Sequence, residues 1–351
     1  MSKTDAGNFF EDFTVGRVLT HATPLTLTDG DASLYRGLYG TRTAVQSADS
    51  FATSIGYPRA PLDDLLVFHA VFGKTVPDIS LNAVANLGYA EGVFHRPVYS
   101  GDTLSSVSEV VGVKENSNGK TGTVYVRTTG SNQRGEVVLS YVRWVMVRKR
   151  DASSPAPEPS VPELASAVDA GQLGAAVPAL NVAEWDDALS GSQFFWEDYE
   201  IGERIDHVDG MTVEESDHML ATRLYQNTAK VHFNQHTEGQ GRFGRRLIYG
   251  GHVISLARAL AFNGLQNAFH IPAINGGRHV APLFAGDTVY AWSEVLDRAA
   301  IEGRSDIGAL RVRMVATKDV PCADFPFKDD DGYADGVILD FDMWLALPRR
   351  A

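Results

Sequence analysis

Cysteine, positive charge and long apolar runs are scarce in this chain of 351 residues. A single cysteine, Cys322, leaves no partner for an internal disulfide, which is typical of proteins in a reducing compartment. Lys and Arg together number 31 against 44 Asp and Glu, and the resulting net charge of −13 repels phosphate groups. We therefore expect neither a nucleic-acid partner nor an anionic membrane surface as a partner.

Targeting signals are also absent from the sequence. No apolar run reaches the roughly 18 residues that a membrane-spanning helix requires. Met1 to Glu11 are polar and acidic, without the apolar centre of a secretory signal, so we expect a soluble, cytoplasmic protein. The composition, 44% hydrophobic and 10% aromatic, is that of an ordinary globular chain. At about 150 residues per domain, the length predicts two domains.

The two halves of the chain carry one pattern. At an offset of 185 or 186 residues, Phe9–Phe13 (FFEDF) matches Phe195–Tyr199 (FWEDY), and the Gly-Asp-Thr of 101–103 matches that of 286–288. The final segments match only at an offset of 200, which places an insertion around Pro321–Gly332. Further matches are Thr26 with Thr212, Asp31 with Asp217, and Trp144 with Trp344. The sequence therefore predicts an internal duplication.

Composition marks the boundary between the halves. The segment from 150 to 190 is rich in Ala and Pro and is predicted to be a linker lying over the surface, between domains at 1–149 and 191–351. Each domain is predicted to contain one long buried helix, within 62–75 and 248–265. In the first half, runs rich in β-branched residues predict antiparallel strands at 83–94, 103–114, 121–129 and 136–149. The fold class is therefore α+β.

The turn Pro-x-x-x-Gly-Asp-Thr, at Pro97–Thr103 and again at Pro282–Thr288, resembles that of MaoC-like hydratases of the hot-dog superfamily. The whole duplicated chain is most similar to the mesaconyl-CoA hydratases, also called β-methylmalyl-CoA dehydratases. This resemblance implies a tandem hot-dog in which a central helix of each half is wrapped by an antiparallel sheet. It also implies a hydro-lyase that interconverts mesaconyl-CoA and β-methylmalyl-CoA, with no cofactor beyond the CoA of its substrate.

The family's motif, Asp-x-Asn-Pro-aliphatic-His, aligns with Asn227–His232 in the second half. The resemblance implies that His232 is the catalytic base, and an imidazole titrates near neutrality. Asn227 replaces the acid, and it is either a residue that orients the water or a turn asparagine. In the first half the same positions hold Thr41 and Gln46, which transfer no proton near neutral pH, so we expect that half to be catalytically silent.

The family's oxyanion glycine follows its histidine by about eighteen residues, which points to Gly250 and Gly251. Backbone N–H groups at a helix start stabilise developing negative charge, and glycine lets a ligand approach them closely. The second proton would come from His232 itself or from a neighbour in sequence, and we rank His252 first, although a supporting role for it is the stronger alternative. The other candidates are Asp217, His218 and His236.

A group of basic residues surrounds this motif, which is conspicuous in an acidic chain. We predict that it binds the CoA phosphates or a free substrate carboxylate, the alternative being a solvated charged face. Its members are Lys230, Arg242, Arg245, Arg246 and Arg278, with His279 beside the last. No His/Cys spacing predicts a metal site. The literal Gly-x-Gly-x-x-Gly at Gly239–Gly244 follows a polar loop instead of a strand, which argues against a dinucleotide site.

Two other functions remain open from the sequence. Hot-dog thioesterases place a carboxylate on or near the central helix; the stretch Gly250–Asn267 has none, whereas Asp63 and Asp64 begin the corresponding helix of the first half. A non-catalytic acyl-CoA-binding protein is supported by the loss of the acid at Asn227. We expect an acyl-CoA ligand in each case, and a homo-oligomer, with a dimer favoured.

Overall fold

A computed structural model describes residues 3–350, so the prediction for Met1–Glu11 lies partly outside the described residues. The helices α1–α8 are Asp29–Tyr39, Ala44–Ser47, Asp49–Ser54, Asp64–Thr75, Asp187–Ser190, Glu215–Leu224, Gln235–Glu238 and Gly250–Leu260. The strands β1–β12 are Val18–Thr26, Ala83–Phe94, Thr103–Glu115, Thr121–Ser131, Val137–Arg148, Arg204–Thr212, His270–His279, Thr288–Ala300, Ile307–Lys318, Lys328–Asp329, Gly332–Tyr333 and Val337–Pro348. Within residues 3–350, no helix is long and apolar enough to cross a membrane.

Ten of these strands form one antiparallel sheet in the order β1-β3-β4-β5-β2-β7-β12-β9-β8-β6. The order of the first five strands is repeated in reverse by the last five, so the predicted duplication is confirmed. The halves join where β2 pairs with β7, and there Ala90 lies opposite Gly276, its own counterpart at an offset of 186. An approximate two-fold axis therefore passes through this strand pair.

Helices α4 and α8 are the central helices of the two halves. Every residue from Leu65 to Thr75 of α4 is buried, and so is every residue from Gly251 to Leu260 of α8. Helices this apolar are stable only inside a core, and each packs against the strands of its own half. The predicted α+β arrangement, with one helix wrapped by an antiparallel sheet in each half, is thus observed.

The predicted insertion around Pro321–Gly332 is a short hairpin, β10–β11, between β9 and β12. Its apolar side chains cover Trp292, which is completely buried and whose indole N–H donates to the carbonyl of Pro326 at 3.0 Å. The insertion also buries Cys322, and burial raises the pKa of that thiol to about 11, which keeps it unreactive.

The segment between β5 and β6 packs more closely than its composition predicts. Leu173, Val177 and Trp185 are buried in a cluster that draws on both halves. The Trp185 ring packs against Phe51 of the first half and Phe269 of the second, at centroid distances of 5.2 and 5.4 Å. A few well-spaced apolar residues are enough to fix this connection on the core.

Contacts between the halves are close and pair equivalent residues. The hydroxyl of Tyr225 donates to that of Tyr39 at 2.8 Å, and Nε2 of His69 lies 3.0 Å from Oγ of Ser255. Both pairs are separated by 186 residues, so they face each other across the approximate two-fold axis. A Cβ on Gly73 would lie only 1.7 Å from the carbonyl oxygen of Tyr225. The first half therefore touches the backbone of the second directly.

We predict that Gly73→Ala destabilises the protein by about 3 kcal/mol or more, because the added methyl group must displace backbone instead of a mobile side chain. Gly37→Ala is the matched control, since Gly37 is also helical and a Cβ there meets nothing within 4 Å. It is expected to leave the stability unchanged or raise it slightly. Urea unfolding of both variants measures the difference, and equal stabilities would contradict the close contact.

Candidate active site

His232 lies in a single 3-10 turn, Lys230–His232, between α6 and α8. Its Nδ1 is 2.9 Å from the carbonyl oxygen of Leu247, which can only accept, so Nδ1 carries the proton and Nε2 is the basic nitrogen. Burial lowers the pKa of His232 to about 4, so the ring is neutral near pH 7. A neutral imidazole with a fixed tautomer is suited to accepting a proton.

The start of α8 is built from Tyr249, Gly250 and Gly251. The two glycines occupy the first turn, where backbone N–H groups have no intrahelical acceptor. A Cβ on Gly250 would lie 2.4 Å from Cε1 of His279, and one on Gly251 would lie 2.5 Å from Cε1 of His69. Only glycine fits between these rings. The His232 ring lies 5.5 Å from that of Tyr249, which places it beside this helix start.

Two of the four candidates for delivering the second proton, His218 and His252, make hydrogen bonds that hold neighbouring parts of the fold in place. Nε2 of His218 accepts the backbone N–H of Tyr249 at 3.0 Å, and so holds the start of α8 in place. Nδ1 of His252 lies 2.9 Å from the hydroxyl of Tyr39 in the first half. Both side chains are buried, and burial lowers the pKa of each to about 3. His252, ranked first from the sequence as the second proton donor, therefore stabilises the interface between the halves through its contact with Tyr39.

The remaining candidates differ in exposure. His236 is exposed on α7, and Asp217 is only partly buried on α6. Asn227 is buried, and its Oδ1 accepts the N–H of Ala229 at 3.0 Å, which is the contact of a turn asparagine. This hydrogen bond fixes the loop that carries His232.

His279 is a site residue whose proximity to the helix start the sequence did not reveal. It ends strand β7, its ring lies against Gly250, and its Nε2 is 3.2 Å from the hydroxyl of Tyr89. Burial, and to a smaller extent the neighbouring His232, lowers the pKa of His279 to about 4. Tyr89 belongs to the first half, so both halves form the walls of this site. The alternation of side chains along β7 is the signal that separates His279 from Arg278.

The predicted basic group is divided by the fold. Arg278 is exposed and lies over the Tyr333 ring at 5.9 Å, on the opposite face of β7 from His279, so it is not brought to the site. Lys230 is exposed beside His232. The arginine patch, as we call it, follows on the loop before α8: Arg242 over Phe243, Arg245 over Phe284, and Arg246, which is paired with Glu215.

At the equivalent position in the first half the polar side chains are engaged by other protein groups, although Gln46 also borders a cavity of about 240 Å³ lined by Arg36 and Arg59. Gln46 donates to the carbonyl of Phe269, and Asp63 caps α4 by accepting the N–H of Leu65 at 2.9 Å. Asp64 accepts the N–H of Ile271 and pairs with His270 at 2.9 Å. The cavity lined by Thr41, Gln46, Asp63 and Arg258 holds about 20 Å³, room for a single water.

At the offset of 186, Asp64 thus occupies the place that Gly250 holds in α8, and Asp63 corresponds to the cap residue Tyr249. Asp63 and Asp64, the two acids that kept the thioesterase hypothesis possible, are already engaged: Asp63 caps α4 and Asp64 pairs with His270. In residues 3–350, no group of three or more His, Cys, Asp or Glu side chains is arranged to hold a metal ion.

Solved structures define the class of this fold. A MaoC domain protein dehydratase from Chloroflexus aurantiacus is 61% identical and superposes with a TM-score of 0.98 over 100% of both chains. A Mycobacterium tuberculosis protein described as a double hotdog fold is 26% identical, with a TM-score of 0.74 over 98% of this chain and 99% of that one. The chain is therefore a MaoC-like double hot-dog protein.

Sequence comparison identifies the family within this class. The family model described as mesaconyl-CoA hydratase matches residues 1–322. Beta-methylmalyl-CoA dehydratase of Chloroflexus aurantiacus is 62% identical over 99% of both chains. Mesaconyl-CoA hydratase of Cereibacter sphaeroides is 58% identical over 99% of this chain and 100% of its own. The chain belongs to the mesaconyl-CoA hydratase family and is a hydro-lyase.

The buried histidines make stability depend on pH. Burial lowers the pKa values of His69, His218 and His252 to about 3, while the unfolded chain binds a proton on each below about pH 6.5. The unfolded state therefore gains protons first, and stability falls as the pH decreases. We expect these three histidines to lower the free energy of unfolding by roughly 5 kcal/mol between pH 7 and pH 5. His207, His232 and His279, whose pKa values burial lowers to about 4, add to this loss.

Urea unfolding at a series of pH values measures this loss. His218→Gln should reduce the slope by about a sixth, because it removes one of six buried histidines whose pKa values are lowered to about 3 or 4. His236→Ala should leave it unchanged, since that side chain is exposed. A wild-type stability that stays flat from pH 7 to pH 5 would show that these rings are charged in the folded protein.

Proposed function

We propose that the protein catalyses the reversible hydration of mesaconyl-CoA to β-methylmalyl-CoA at a single site in its second half. The names of its relatives support this substrate. The observation that carries the proposal is the position of His232, which is held by the Leu247 carbonyl and leaves Nε2 basic beside the glycine start of α8. The first half retains neither a base nor a free helix start.

The thioester oxygen binds to the N–H groups of Gly250 and Gly251. Attack of water on Cβ moves negative charge to this oxygen, and two backbone donors at a helix start stabilise it where it develops. One such donor is worth about 3 kcal/mol in the transition state. Because the glycines have no side chain, the rings of His279 and His69 pack directly against this turn, and we place the acyl group beside these rings.

His232 takes the proton from the attacking water on Nε2, the hydroxyl adds to Cβ, and a proton is delivered to Cα. We propose that His232 returns the same proton. The hydroxyl group and the proton are then added to the same face of the double bond. His218 and His252 each use one ring nitrogen to hold Tyr249 and Tyr39, so we assign the return of the proton to His232. Dehydration follows the same path in reverse.

CoA enters this reaction only as part of the substrate, and we propose no other cofactor. Lys230 and the exposed members of the arginine patch lie on the loop that joins the His232 turn to α8, and their charges fit the phosphates of CoA. Because these charges are exposed and screened by salt, we expect the acyl-CoA to bind more weakly at high ionic strength. Thioester hydrolysis is disfavoured because the acids at the start of α4 are engaged around a cavity of about 20 Å³.

The decisive assay follows the enoyl-thioester absorbance of mesaconyl-CoA with a thiol reagent present. We predict loss of the absorbance without thiol release. His232→Ala should lower kcat by about 10²- to 10⁴-fold, the usual contribution of a general base. Release of free CoA would indicate hydrolysis, and failure to act on mesaconyl-CoA or crotonyl-CoA would reject the proposed hydration.

Two controls accompany this variant. His236→Ala removes an exposed histidine four residues away and should not change kcat. Gln46→Ala alters the position equivalent to His232 in the first half and should change kcat little. Comparable losses from His232→Ala and Gln46→Ala would contradict a single active half.

A further inference from the structure

Arg143 is a completely buried cation without a counterion. It lies on β5 of the first half, and its exposed fraction is 0%. Its Nη2 donates to Oγ1 of Thr75 at 2.7 Å, and the guanidinium stacks on Phe72 at 4.3 Å. The Nε and Nη1 atoms have no hydrogen-bond partner, and no carboxylate of residues 3–350 forms an ion pair with it. An unpaired buried charge is costly, so its presence requires a reason.

The fold itself does not require an arginine at this position. In the second half the corresponding residue is Met343, which is also completely buried. The register establishes the equivalence, since Arg143 lies opposite Val126 and Met343 lies opposite Val312, a pair separated by 186 residues. A methionine therefore fills the same place in the same fold, and the charge is an addition specific to the first half.

The surroundings of Arg143 connect it to the active site in the second half. It lies opposite Tyr89 on the neighbouring strand, and the hydroxyl of Tyr89 reaches His279 beside Gly250. The Phe72 ring beneath the guanidinium also packs against Tyr249, at 5.8 Å. Tyr89 and Phe72 thus connect Arg143 to the glycine start of α8, and both contact residues of the site. Burial lowers the pKa of Arg143, and the hydroxyls of Tyr141, Tyr89 and Tyr249 oppose this.

We propose that Arg143 binds the free carboxylate of a dicarboxylic acyl-CoA, so that the catalytically silent half determines substrate specificity. This inference rests on the proposed function for the location of the thioester. In mesaconyl-CoA the carboxylate is attached to Cβ, the carbon that receives water, so it must lie deep in the site and not at the surface. A guanidinium with unused N–H groups provides a charge-assisted partner for it. The exposed arginine patch is left for the CoA phosphates.

The experiment compares binding of succinyl-CoA and butyryl-CoA by calorimetry, since the two differ chiefly in a carboxylate and neither contains a double bond to hydrate. Wild type should bind succinyl-CoA more tightly. Arg143→Met, which copies the second half, should weaken succinyl-CoA binding by about 30-fold or more and leave butyryl-CoA binding unchanged. Arg127→Gln, on the adjacent strand and paired with Glu91 at 2.6 Å, is the matched control and should alter neither.

Equal loss for both ligands, or no loss for succinyl-CoA, would overturn the proposal. Should Arg143→Met fail to fold, Thr75→Val tests the same point, because it removes the acceptor that orients the guanidinium. It should weaken succinyl-CoA binding several-fold without affecting butyryl-CoA, and an unchanged ratio would count against Arg143. Failure of the wild type to hydrate any enoyl-CoA would reject the proposed function, while these binding ratios would still report on Arg143.

Discussion

The pairing of β2 with β7 is the constraint on which the rest of the structure depends. It joins two five-stranded sheets edge to edge around an approximate two-fold axis and brings equivalent residues into contact. Tyr39 meets Tyr225, and His69 meets Ser255, in the core between the central helices. Because the two halves share one core at this junction, side chains of both halves surround each of the two helix starts. Duplication therefore gives one continuous core and two related positions for a ligand.

The two positions have diverged in opposite ways at the helix starts. In α8, Gly250 and Gly251 occupy the first turn, whose backbone N–H groups have no intrahelical acceptor, and His232 lies beside this turn. In α4, Asp63 and Asp64 supply carboxylates to the same region, so protein groups already satisfy what a ligand would bind. This helix start carries a cost, because burial and the neighbouring Asp64 raise the pKa of Asp63 to about 6, but it leaves the first half free for other roles. Those roles include supplying Tyr89 and, as we propose, Arg143 to the site of the second half.

Much of the fold was predictable from the sequence, because it depends on local patterns of residues or on the internal repeat. The duplication follows from the internal repeat, and the two buried helices and the strands of the first half follow from periodicity. The resemblance to the family's motif pointed to His232 and Gly250, whose roles stay a prediction. The contacts of His279, Tyr89 and Arg143 were not predictable, because the pairing of β2 with β7 joins residues about 190 positions apart. Arg278 is turned away from the other basic residues by strand alternation, and the contact of His252 with Tyr39 fits the supporting role that the sequence analysis favoured for it.

A structure of the protein with bound succinyl-CoA tests the central claim, that both halves build one site, most directly. We expect one ligand per chain, with the thioester oxygen at the N–H groups of Gly250 and Gly251 and the free carboxylate at Arg143. The CoA phosphates should lie near the arginine patch. A ligand beside Gln46 in the first half, or a carboxylate held by surface arginines while Arg143 stays unpaired, would contradict it.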